Sequence, residues 1–286
     1  MSDSLIVAVE TGLLGAAPAL ALVGIGGRRF VAPALALGVG VVFVVFKGWP
    51  ELPHRLWVGN NDGMAWLGWA LVVAGLIGWL QDLRWLPHGF FALLGFLTCC
   101  ALPVFVSARL HALFADVSPR WTGWTVGGHL GPAIALLIAA WVLMVRASER
   151  RQGLLLPIVW TLCLTADSLA LLHSGSALQG QLAGGLAAAL GMATATAIWR
   201  RPFALGDGAV LVLAAGHIGL VFAGHHLGEL ERWPALALAL APATVWLGGA
   251  RELARWPRLG GLVAAVVALA ASGYAVWATW RAGGGY

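Results

Sequence analysis

The chain has 286 residues, 60% of them hydrophobic and only 10% charged, where a soluble globular domain carries roughly 25% charged residues. That deficit excludes an ordinary water-soluble fold and points to an all-α, polytopic integral membrane bundle, read as one transmembrane domain over 1–286. The formal charge of +5 does not imply a nucleic-acid partner, because the basic residues are almost all Arg and stand at the edges of apolar stretches rather than in one patch.

The N-terminus has no basic region ahead of its apolar run and carries Asp3 and Glu10, so it does not read as a cleavable signal. Stretches of roughly 20 apolar residues span a bilayer, and the sequence predicts ten of them: 5–26, 30–46, 63–80, 86–108, 128–146, 153–173, 180–199, 207–227, 234–250 and 259–280. Hydrocarbon offers no hydrogen-bond partners, so each must be a helix or a barrel strand. Continuous runs without two-residue alternation exclude strands.

Eleven Arg residues follow spans 1, 3, 5, 7 and 9, from Arg28 and Arg29 to Arg251, Arg255 and Arg258, against six Lys or Arg on the opposite side. Positive-inside bias therefore predicts both termini on the non-cytoplasmic side, most simply of a bacterial inner membrane. The longest connections, 47–62 and 109–127, then fall outside. With Pro50, Pro53 and Pro119 among Trp and Leu, they read as ordered caps. Many of the 16 Trp residues, such as Trp85, Trp233 and Trp280, mark span ends, as interfacial anchors do.

Span 7 sets Gly180, Gly184, Ala188 and Gly191 at spacings that let helix backbones approach. Pro103 and Pro242 fall inside spans 4 and 9, where a missing N–H kinks the helix or frees a carbonyl. Cys99, Cys100 and Cys163 lie in apolar stretches and read as small packing residues.

Ionisable groups within spans are costly and are functional candidates for that reason. Glu10, Asp167 and His217 fall in the outer half or at the midplane of spans 1, 6 and 8. Asp167 and His173 face different sides of one helix, so Asp167 needs a partner from another helix, with His217 and Glu10 as the candidates. Such an acid–imidazole pair can relay protons or bind a cation.

His129, His173, His225, His226 and Glu229 all map to outer span ends. If span 8 continues as a helix, Glu229 lies three and four residues beyond His226 and His225, close enough to share a zinc or copper ion completed by His129 or His173. Solvated interfacial side chains are the plainer reading of the same residues. His217, about 12 Å deeper than His225, cannot join that set.

Phosphate-loop, zincin, haem-attachment and nucleophile-elbow motifs are absent. Ser107-Ala108-Arg109-Leu110-His111 resembles the Ser-xxx-His element of the seven-helix zinc hydrolases that include alkaline ceramidases; the companion His-xxx-His pair is missing, and no role is carried over. Three expectations follow. The first is a permease-like protein handling protons or a cation through an outward-facing polar cavity lined by Asp167, His217, Glu10 and His225. The second is a membrane enzyme or redox protein holding zinc, copper or haem b near the outer face. The third is a structural or assembly subunit whose partner is another membrane protein or a second copy of itself.

Overall fold

Ten α-helices, and no strand, occur among the described residues of the computed structural model, which are 3–47, 63–85, 87–114, 123–150, 154–199, 205–242, 244 and 257–283. The helices are α1 (Asp3–Gly26), α2 (Val31–Lys47), α3 (Gly63–Asp82), α4 (His88–Phe114) and α5 (Gly123–Arg150), followed by α6 (Leu155–His173), α7 (Ala177–Trp199), α8 (Asp207–Leu227), α9 (Arg232–Leu240) and α10 (Pro257–Gly283). A single 3₁₀ turn, Gly27–Phe30, reverses the chain between α1 and α2, and Gly27 at φ +66° supplies the left-handed residue that the reversal needs.

Among the described residues, five stretches are long and apolar enough to cross a membrane: Val9–Lys47, Leu130–Ser148, Leu155–His173, Asp207–Leu227 and Leu259–Ala282. The first of these runs through two helices and the turn between them. Leu67–Asp82 and His88–Val104 are apolar but shorter. Leu13, Leu20, Leu37, Leu262 and Val266 are exposed on the outer faces, an apolar exterior of the kind that meets lipid rather than water.

α8 is the axis of the bundle. Every residue from Gly208 to Gly224 is buried, which is the signature of a helix apolar on all sides and enclosed by others. Its neighbours are α2 to α7 and α9. Between helices in lipid there is little hydrophobic drive, so close backbone packing has to hold them. A Cβ on Gly78 of α3 would stand 2.7 Å from the Gly208 carbonyl of α8, and one on Gly38 of α2 would stand 2.8 Å from the Gly15 carbonyl of α1. Gly180 and Gly184 of α7 lie on α6, where the Ser168 hydroxyl donates to the Gly180 carbonyl at 2.7 Å.

Two expected boundaries move. α4 and α5 extend into the anticipated 109–127 cap, reaching Phe114 and beginning at Gly123. Regular α-helix in the ninth span stops at Leu240, just before the 3₁₀ residues 241–242. Pro242 accounts for that stop, since it has no N–H to offer four residues back. Most of the 47–62 cap, positions 115–122 and positions 245–256 lie outside the described residues, as do the side chains of Ser107, His111 and His129.

Candidate functional site

The centre of the bundle contains one acid and one imidazole. α6 begins with Pro157 in its first turn, where a missing N–H costs nothing. It then turns Trp160, Cys163 and Asp167 to one buried face by their spacing of three and four residues. His217 is the single ionisable residue in the buried stretch Gly208–Gly224 of α8.

Asp167 Oδ2 and His217 Nδ1 are hydrogen-bonded, and both side chains are 0% exposed. The other ring nitrogen, Nε2, donates to the Leu238 carbonyl of α9 at 3.1 Å. That carbonyl is available for a local reason: its α-helical donor would be residue 242, a proline, and it receives instead the N–H of Ala241 from the tighter last turn. The indole of Trp160 meets the imidazole edge-on, with centroids 5.4 Å apart.

Protonation follows from these partners. A carbonyl can only accept, so Nε2 carries hydrogen. Nδ1 and the carboxylate oxygen then hold one proton between them, as imidazolium with carboxylate or as imidazole with carboxylic acid. Either form is neutral overall, which is what an apolar interior tolerates, because an uncompensated charge there is costly. Asp167 Oδ1, Trp160 Nε1 and Ser272 Oγ have no hydrogen-bond partner among the described residues. Ser272 of α10 lies beside the Cys163 thiol.

Glu10 takes no part in this pair. It is exposed on α1, which packs on α2 and α7. His225 is half-buried in the last turn of α8 and donates from Nδ1 to the Leu230 carbonyl at 2.7 Å. Its ring lies 4.8 Å from that of His226, which in turn stacks 4.3 Å from Phe222.

The helical continuation that would set Glu229 beside His225 and His226 is absent. α8 ends at Leu227, Gly228 is extended at φ −116°, ψ −164°, and the helical spacing that would bring the carboxylate back never forms. Glu229 instead lines a cavity of about 170 Å³ with His173 and Glu231. His225 and His226 line a different cavity, of about 270 Å³. Among the described residues, no three His, Cys, Asp or Glu side chains are grouped as metal ligands. Asp167 and His217 are both fully buried and line neither of these two cavities.

The ends of α6, α8 and α10 and the start of α9 meet at one end of the bundle, around His173, Glu229, Pro234 and Thr279. At the other end, the Asp82 carboxylate of α3 packs on Gly206 and accepts the Gly208 N–H, satisfying a donor at the start of α8. Sequence reasoning missed Leu238 and Trp160. Pro242 four residues after Leu238, and Trp160 seven residues before Asp167 on the same helical face, were the available signals. Comparison of the chain with protein-family models, with curated proteins and with solved structures finds no match.

Proposed function

We propose that the chain is a permease-like integral membrane protein of the bacterial cytoplasmic membrane, with ten spans and outer termini, that exchanges protons or a cation at Asp167 and His217. A carboxyl and an imidazole that share one proton, at zero exposure inside an apolar bundle, support it. Ionisable groups at that depth are expensive to insert and few structural roles require them. The site is sealed in this conformation, so exchange needs an opening, and α9 is the element suited to move. It is nine residues long, ends at Leu240 two residues before Pro242 and meets the imidazole through one hydrogen bond. Discontinuous helices of this kind are a common means of exposing mid-membrane sites in transporters.

The test is reconstitution into liposomes with a trapped pH dye and an imposed pH gradient. Wild-type protein should dissipate the gradient, and Asp167→Asn and His217→Ala should each reduce the rate to that of empty liposomes. Equal rates in wild type and both variants would overturn the assignment.

A further inference from the structure

The cavity between α5, α8 and α9, about 270 Å³, is built in two chemically distinct parts. Leu136 of α5, Val221 of α8 and Leu236 of α9 line an apolar stem, and His225, His226 and Arg232 stand among its lining residues as a basic group. No carboxylate lines it among the described residues. Glu229 and Glu231, which flank these basic residues in sequence, line the neighbouring cavity instead. Arg232 is exposed and presents a planar guanidinium.

Each feature narrows the ligand. An apolar stem has nothing to offer a small inorganic anion, and the guanidinium charge of Arg232 disfavours a cation. Ligand pockets usually run from ~300 to ~1,000 Å³, so this cavity is matched to one hydrocarbon chain rather than two.

We infer that this cavity binds a single-chain amphiphile with an anionic head, its acyl chain in the stem and its carboxylate or phosphate on Arg232. The inference is independent of proton exchange at Asp167, since neither Asp167 nor His217 lines the cavity. A free fatty acid and a lysophospholipid share the required chemistry.

The full chain, held in nanodiscs of zwitterionic lipid, would be titrated with a radiolabelled long-chain fatty acid, its methyl ester, an acyl lysophosphatidate and inorganic phosphate. Retention of either anionic amphiphile at least about tenfold more tightly than the ester, the size expected of one charge-assisted hydrogen-bonded contact, supports the site, and which of the two is retained identifies the source of the head group. Arg232→Gln should remove that preference while leaving ester binding unchanged, and Ala239→Trp, which fills the stem, should abolish retention. Equal binding of acid and ester, binding of phosphate alone at the same affinity, or acid binding undiminished by Arg232→Gln would overturn the inference. The wild-type comparison and the exposed Arg232 variant decide the matter even if the Trp variant does not fold.

Discussion

His217 on α8 donates its Nε2–H to the carbonyl oxygen of Leu238 on α9, 3.1 Å away, and this bond dictates what the opposite ring nitrogen can do. With hydrogen committed to Nε2, the partnership of Nδ1 with Asp167 stands or falls on a single further proton. A helix break thus reaches the carboxyl through the imidazole.

Asp167→Asn separates a proton-exchanging role from a packing role. The amide N–H of Asn can donate to Nδ1 as a carboxylic acid does, so the neutral arrangement persists while the exchangeable proton is lost. Expected results are a melting free energy within about 1 kcal/mol of wild type and loss of gradient dissipation. Asn activity equal to wild type would remove the carboxyl from the mechanism.

His217→Ala should be harsher on the fold. It leaves the Asp167 carboxyl buried without its imidazole partner, a cost of roughly 1–3 kcal/mol for an unsatisfied group, while the Leu238 carbonyl keeps the Ala241 N–H. Thermal unfolding in detergent, with Asp167→Asn as reference, measures the difference. A variant as stable as Asp167→Asn would show that the imidazole contributes nothing to packing.

Pro242→Ala returns an N–H to the position four residues after Leu238. The expected outcome is continuation of α9 beyond Leu240 and a weaker bond from His217, because the Leu238 oxygen gains a competing donor. The imidazole nitrogen shifts of His217 in labelled protein report this directly, and unchanged shifts would dissociate the proline from the site.

Close packing predicts opposite effects at two glycines. Gly78→Val drives a side chain into the backbone of α8 at Gly208 and should destabilise by about 2 kcal/mol or more, whereas Gly12→Ala on α1 meets nothing within 4 Å and should stabilise by about 0.5–1 kcal/mol through helix propensity. Melting temperatures of the two variants check both signs.

Asp82→Ala removes an acceptor from the start of α8 and should cost about 0.5–2 kcal/mol, with Asp82→Asn recovering part of it. Comparable losses in the two variants would mean that an amide oxygen cannot replace the carboxylate as acceptor for the Gly208 N–H.

Helix identity was legible because apolar runs of span length in a chain this poor in charge have one structural solution. Asp167 and His217 could be singled out by depth alone, and each lacked a partner on its own helix. The position of Glu229 was not legible because it depended on whether the helix continued through Gly228, and a residue without a side chain carries no signal of which way the chain turns there. Leu238 was out of reach for a different reason: the acceptor is a backbone atom, and any residue type could have supplied it. Pro242 was the visible trace of that carbonyl, but it marks a break without naming what fills it.

Enclosure of α8 also orders events during synthesis. Asp167 is made 50 residues before His217, so for a time the carboxyl has no imidazole to share its proton. The earlier helices form an open cradle whose lining is meant for a segment not yet made. Closure of that cradle by α8 is therefore the step that turns a set of inserted helices into a finished molecule, and a chain truncated before residue 207 would leave the inner faces of α3 and α7 turned toward the acyl chains.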